Sequence, residues 1–362
     1  MTDATRREVV HDAKSDAGTE TVLSVRNLSI AFTNGCSSIT VVNSVSFDVR
    51  RGETLGLVGE SGSGKSVTAL SIMRLLPRSR ARIVAGEIIF QGNDLVTMPI
   101  AELRRLRGKD LAMIFQDPLT ALNPIVTIGS QLALAIKVHD RRITKRAVRA
   151  RVCDLLRKVG VPDADSCFHR YPHEYSGGMR QRVVIAMAMA NRPSLIIADE
   201  PTTALDVTVQ AQVLEALDVA RQETGAATIL ITHDLGVVAE RADRVAVMYG
   251  GRLVEQATVF QAFAAPRHPY TLALLSTVIR EGSADQDIVT IPGQPANAAN
   301  LPSGCAFHPR CALAGAACRV EVPPLVEVAE DHRTACLFHE KVPSLMQRGA
   351  ESPPARIHTG GP

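Results

Sequence analysis

The chain has 362 residues, 46% of them hydrophobic and 21% charged, with a net charge of +3; it can bury a full core and, on length, holds two or three domains. Charge this near balance, with Lys and Arg scattered, calls for no nucleic-acid partner, and the longest apolar runs, such as residues 183–190, fall short of the roughly 18–20 needed to cross a bilayer. Residues 1–20 are mostly polar or charged and lack the apolar stretch of a signal peptide, so they are expected to form a disordered tail.

From residue 22 to 49 the apolar positions alternate, first Leu28, Ile30 and Phe32, then Val45, Phe47 and Val49, which predicts strands with one covered face. Residues 54–59 then read as a buried strand ending in a glycine-rich loop, and 67–76 carry helical spacing up to Pro77. Between 118 and 191 the pattern turns helical, which predicts a helical subdomain inserted into the sheet domain; the basic run 141–151 within it reads as a solvated helix face. Short apolar runs at 194–199, 227–232 and 244–249 alternate with helices such as 207–223, closed by Gly225. Strands alternating with helices predict a mainly parallel sheet covered on both faces. After residue 280 the chain is proline-punctuated and loop-like, which predicts a separate small module over 283–345, and 346–362 reads as a second disordered tail.

Gly59-Glu-Ser61-Gly62-Ser63-Gly64-Lys65-Ser66 fits Gly-x4-Gly-Lys-Ser in its required setting, after a strand and before a helix. Such glycines let backbone N–H groups turn inward around phosphates, the lysine bridges the β- and γ-phosphates, and Ser66 offers a hydroxyl to Mg²⁺. The apolar strand ending at Asp199 and Glu200 supplies the complementary carboxylates, Asp199 for the metal and Glu200 to deprotonate the attacking water. His233 follows another buried strand, at the sheet edge where ligands collect.

Tyr175-Ser176-Gly177-Gly178-Met-Arg-Gln-Arg182 resembles the signature sequence of ABC ATPases, and it stands before Asp199-Glu200-Pro-Thr as it does across that family. Gln116 in Ile114-Phe-Gln-Asp117, the loop Ala204-Leu-Asp206 and His233 in Thr232-His-Asp-Leu235 complete the family's order, so the resemblance covers roughly residues 22–275. It implies a P-loop NTPase of the α/β class: a RecA-like mainly parallel sheet plus an antiparallel β subdomain, with the ATPase domain over 21–282. It further implies ATP hydrolysis with Glu200, His233 and Gln116 as catalytic residues, and Mg²⁺ held by Ser66, Gln116 and Asp199. Ser176, Gly177, Gly178 and Asp206 would act on the nucleotide of an opposing subunit. Phe32 stands where the family stacks an aromatic on adenine, though it also belongs to the core stripe of its strand.

Finer features, Leu119-Thr-Ala-Leu-Asn-Pro124, the Pro201–Gln210 stretch and His268-Pro-Tyr-Thr271, resemble the ATPases of oligopeptide, dipeptide and nickel importers. That implies a second ATPase subunit, two membrane-spanning permeases and an extracytoplasmic solute-binding protein as partners, with the chain on the cytoplasmic face of the cell membrane. A nickel or other small-solute importer, a soluble ABC ATPase and a regulatory ATP sensor are the alternatives.

Three cysteines, Cys36, Cys153 and Cys167, are scattered and suit buried apolar roles, whereas Cys305-x5-Cys311-x6-Cys318-x17-Cys336 is a set within one loop-rich segment. Four thiolates can hold zinc or a [4Fe–4S] cluster, and the missing Cys-x2-Cys pair weakens the zinc-ribbon reading. The importer resemblance implies the cluster.

Overall fold

The computed structural model describes residues 20–34, 37–77, 79–203, 205–277 and 291–345; both predicted tails, apart from Glu20, and Cys36 lie outside them. The strands in chain order are β1 (Thr21–Asn34), β2 (Ser37–Arg50), β3 (Thr54–Val58), β4 (Ala81–Phe90), β5 (Asn93–Asp94), β6 (Leu111–Ile114), β7 (Leu195–Asp199), β8 (Ala227–Thr232), β9 (Arg244–Tyr249), β10 (Arg252–Thr258), β11 (Val326–Ala329) and β12 (His332–Thr334).

They form two sheets. The smaller, in the order β2-β1-β4-β5, is antiparallel, and the alternating residues Leu23, Val25, Leu28 and Ile30 of β1 and Val45, Phe47 and Val49 of β2 are buried. The larger runs β11-β12-β10-β9-β3-β8-β7-β6, with β9, β3, β8, β7 and β6 parallel and the other three antiparallel at one edge. Every residue of β3, β7 and β8 is buried, which is why these strands read as unbroken apolar runs. In the order β3-β8-β7, their carboxyl ends bring Gly59, His233 and Glu200 to one edge of the sheet, where open α/β sheets gather ligands.

Between β6 and β7 the described chain is helical, with helices Ile128–Lys137, Lys145–Lys158 and Gly177–Met189 as its longest elements. Thr127 and Thr144 cap the first two by accepting from the N–H groups of Ser130 and Ala147, each such cap being worth about 1 kcal/mol. Leu132, Ile136, Val148, Val152 and Leu156 face inward with Cys153 and Cys167, which occupy the buried apolar positions expected of them. The basic run is less purely solvated than its charge suggests: Arg149 stands over the Phe168 ring at 5.3 Å, and Arg151 donates to the carbonyl of Ala190. Among the described residues no helix is long and apolar enough to cross a membrane.

The proline-rich segment does not stand apart as the sequence suggested. β12 pairs with β10 and so extends the main sheet, and Phe307 packs its ring against Tyr249 and Tyr270 at 5.2 and 5.3 Å in the same apolar cluster as Val58, Val245 and Val247. The carboxylate of Glu255, fully buried in β10, accepts from the N–H groups of Arg267 and His268 at 2.6 and 2.9 Å and meets Nε2 of His332 at 2.7 Å. Each contact joins residues that are distant in sequence, which local periodicity does not register.

His268 caps helix Pro269–Ser276, its Nδ1 accepting from the N–H of Tyr270 at 3.1 Å. A second ring proton would have to sit on that acceptor nitrogen in a fully buried site, and burial pushes the pKa from 6.5 down to about 3. A base whose folded pKa is depressed contributes its full stability above the unfolded value and loses it as pH falls below 6.5. Acidification from pH 7.5 to 5.0 is therefore expected to cost about 2 kcal/mol through this residue, at 1.36 kcal/mol per unit. Urea unfolding of wild type and His268→Asn at both pH values measures it: the variant, which keeps a neutral cap, should lose about that much less on acidification.

Candidate functional site

β3 delivers the chain into the loop 59–64 at Gly59, whose φ is +148°; a Cβ there would lie 2.2 Å from the carbonyl oxygen of Met248. Only glycine fits so close a backbone crossing. Gly62 and Gly64 also hold positive φ, and Gly64 precedes helix Lys65–Ile72, whose first N–H groups face the loop. Lys65 is 6% exposed and folds back, Nζ donating to the carbonyls of Gly59 at 2.7 Å and Glu60 at 3.0 Å. Burial lowers its pKa, and the nearby carboxylates of Glu200, Asp199 and Glu60 oppose that shift. Ser61 is exposed at the loop tip, whereas Ser63 is buried with an Oγ that has no partner within the described chain.

Ser66 Oγ donates to Oδ1 of Asp199 at 2.9 Å, joining the loop to the end of β7. Burial raises the Asp199 pKa, helped by the charge of Glu200 and opposed by the Ser66 hydrogen bond and by Lys65. Glu200 follows at φ +47°, a left-handed conformation that costs about 1–3 kcal/mol outside glycine and is held here by its N–H donating to the carbonyl of Ile231 in β8 at 2.9 Å. Its Oε2 accepts from Nε2 of Gln116 at 3.1 Å and from Oγ1 of Thr203 at 2.8 Å, with Nδ1 of His233 3.8 Å away. Gln116, Glu200 and His233 thus converge on one carboxylate oxygen, and Ser66 and Asp199 on each other. Gln116 and the His233 ring are exposed.

Ser176 and Asp206 each cap a helix, Gly177–Met189 and Val207–Thr224, by accepting from the N–H groups of Met179 at 3.4 Å and Val209 at 2.9 Å. The two helix starts meet: a Cβ on Gly178 would lie 2.1 Å from Cγ1 of Val209, and one on Gly177 would touch Leu205. The pair presents two clustered helix N-termini without filling them; Ala204 lies outside the described residues. Phe32 is partly buried in β1, opposite Ile39 and Ala81, and packs on the core of the antiparallel sheet.

Sequence reasoning missed Thr203, although it lies in the quoted Pro201–Gln210 stretch; its signal is the turn that places it three residues after Glu200. It also missed Arg310, for which no local signal exists.

Cys305, Cys311, Cys318 and Cys336 do gather, with Phe307 and Phe338, around one cavity of about 10 Å³. Burial raises the pKa of Cys305, Cys311 and Cys336, the last to about 12. Among the described residues no group of three or more His, Cys, Asp or Glu is arranged to hold a metal ion. The four-thiolate centre expected from the spacing is thus not supported as a coordination set.

The chain is similar to known proteins along most of its length. The family described as ABC transporter matches residues 42–203, and the oligopeptide/dipeptide transporter C-terminal region matches 254–318. A putative peptide import ATP-binding protein of Brucella ovis is 48% identical over 332 residues, 89% of this chain and 98% of the relative. The dipeptide transport ATP-binding protein DppD of Bacillus subtilis is 46% identical over 322 residues, 89% of this chain and 96% of its own. A solved dimer of an ATP-binding cassette, in a post-hydrolysis state bound to ADP and phosphate, superposes with a TM-score of 0.59 at 25% identity, covering 66% of this chain and 98% of that one. With a phosphate-binding loop, a carboxylate pair and a signature helix start in one α/β fold, and relatives of this identity along nearly their whole length, the chain belongs to the ABC transporter family, as an ATP-hydrolysing subunit that carries the oligopeptide/dipeptide-type C-terminal region.

Proposed function

We propose that the chain is one half of a motor that drives uptake of oligopeptides or dipeptides across the cytoplasmic membrane, from its cytoplasmic face. The observation that carries the catalytic part is the convergence of Gln116, Thr203 and His233 on Oε2 of Glu200, beside the Lys65 loop. Lys65 and the N–H groups of the loop bind the ATP phosphates, Glu200 takes the proton of the attacking water at Oε2, and His233 contacts the γ-phosphate. Ser66, Asp199 and Gln116 are oxygen donors of the hard type that suits Mg²⁺, which would neutralise charge on the β- and γ-phosphates. Lys65 is charge-stabilising throughout and does not transfer a proton.

Ser176, Gly177, Gly178 and Asp206 stand at two helix starts that meet, a cluster of N–H groups that supports their acting on the γ-phosphate bound by a second ATPase subunit. Two such subunits closed around ATP and released by hydrolysis would move the helical stretch between β6 and β7 and the Gln116 loop, against which two permease subunits would rest. Peptide as cargo rests on the likeness to the peptide-import relatives and on the matched C-terminal region. The test is the purified chain with its membrane subunits in vesicles and an external solute-binding protein: MgATP should drive accumulation of a radiolabelled dipeptide or oligopeptide. Accumulation of Ni²⁺ and no peptide would replace the cargo.

The four cysteines are the ligands we assign to any [4Fe–4S] cluster, supported by their shared cavity, and binding would require them to shed protons and the void to open. Anaerobic purification with iron and sulfide assays and a visible spectrum decides it; a colourless protein containing zinc, or four titratable thiols, removes the cluster.

A further inference from the structure

We infer that Arg310, in the C-terminal segment, is a positioning residue for the phosphate-binding loop, acting through Glu60. Glu60 is the second residue of that loop, and three groups hold it. Its N–H donates to Oη of Tyr270 at 2.8 Å, its carbonyl accepts from Nζ of Lys65, and its carboxylate lies in a two-pronged ion pair with Arg310, 2.7 Å from Nη1 to Oε2 and 3.0 Å from Nη2 to Oε1. The Arg310 side chain is only 4% exposed. All five of its N–H donors have acceptors: besides Glu60, Nε donates to the Pro292 carbonyl at 2.8 Å, Nη2 to the Ile291 carbonyl at 3.2 Å, and Nη1 to Oη of Tyr249 at 3.4 Å. A lysine has neither the fork nor the number of fixed donors to replace it.

A carboxylate in a loop that must receive a triphosphate is a like charge in the wrong place, and it belongs to a residue whose carbonyl already accepts from Lys65 Nζ at 3.0 Å. Arg310 pairs with that charge and fixes the carboxylate through both of its oxygens. The segment that carries the thiols, with Cys311 next in sequence, therefore reaches the nucleotide through one side chain.

The inference rests on the loop being the ATP site, so Lys65→Ala is the control: if it binds MgATP as wild type does, that reading fails and not the role of Arg310. With the full chain and titration by a fluorescent ATP analogue with Mg²⁺, Arg310→Ala should weaken binding about tenfold, since it leaves a carboxylate unpaired beside the phosphates. Glu60→Gln alone should change it by less than about threefold, and adding Glu60→Gln to Arg310→Ala should bring affinity back to within about threefold of wild type. A residue that merely packed the segment would not be rescued by removing a charge in the loop. Unchanged binding by Arg310→Ala, or no recovery in the double variant, overturns the inference. Should Arg310→Ala fail to fold, Arg310→Lys against Arg310→Gln gives the same decision: the lysine variant is expected to bind more tightly, and equal affinities overturn the role.

Discussion

Glu200→Gln is expected to lower ATP turnover by the assembled transporter about 10²- to 10⁴-fold, the usual contribution of a positioned general base, while MgATP binding stays near wild type. Glutamine keeps the shape of the side chain, and its carbonyl oxygen can still accept from Thr203 Oγ1 and Gln116 Nε2, which both point at Oε2 in the native chain. What it loses is the ability to take a proton. The left-handed backbone at this position and the N–H bond to Ile231 are unaffected, so the variant isolates chemistry from structure. Because nucleotide would bind and not be cleaved, ATP-bound dimers should accumulate, visible by light scattering coupled to size exclusion. A variant that hydrolyses ATP at the native rate would mean the base lies elsewhere. His233→Ala should cost less, since the imidazole stands 3.8 Å from Oε2 and is largely exposed.

Much of this site is local in sequence and was legible for that reason. β3, β7 and β8 are buried on both faces and so appear as apolar runs, and each hands its functional residue to the sheet edge within one or two positions of its end. The caps Ser176 and Asp206 are also fixed by neighbours a few residues away, whereas Gly59 answers to the carbonyl of Met248, far along the chain. The missed elements have partners far along the chain. β10 carries Glu255 at a position that reads as a surface charge, yet the carboxylate is fully buried and satisfied by Arg267, His268 and His332. β12 has only three residues and exists because β10 offers it an edge. β4 mixes exposed and buried positions around Gly86, so no period emerges. The pairing of Glu60 with Arg310 joins residues 250 apart in sequence, and neither residue signals it alone. Four cysteines in one segment suggested a metal centre, but spacing reports proximity, not whether sulfurs are thiolates or how much room lies between them.

Gly178→Val separates the two halves of the proposed composite site. A Cβ at this position would lie 2.1 Å from Cγ1 of Val209, so even the first added carbon forces apart the starts of helices Gly177–Met189 and Val207–Thr224. The added branch would also cover the N–H groups that we assign to the partner's γ-phosphate. None of this touches the chain's own loop, where Lys65, Ser66 and Asp199 are held by separate bonds. Binding of MgATP to the isolated chain is therefore expected to stay within about threefold of wild type, a shift of less than 1 kcal/mol. In the Glu200→Gln background, however, the ATP-dependent dimer should disappear, and turnover of the assembled transporter with Gly178→Val alone should fall at least a hundredfold, as when one preorganised donor to a developing anion is lost. Stability offers the internal check. Displacing the two helices is expected to cost about 1–3 kcal/mol in urea unfolding, and Val209→Ala, which removes the clashing methyl groups, should recover part of it. If the double variant regains stability but neither dimer nor turnover, the N–H groups at 176–178 carry the function; if it regains all three, the glycine serves helix packing alone.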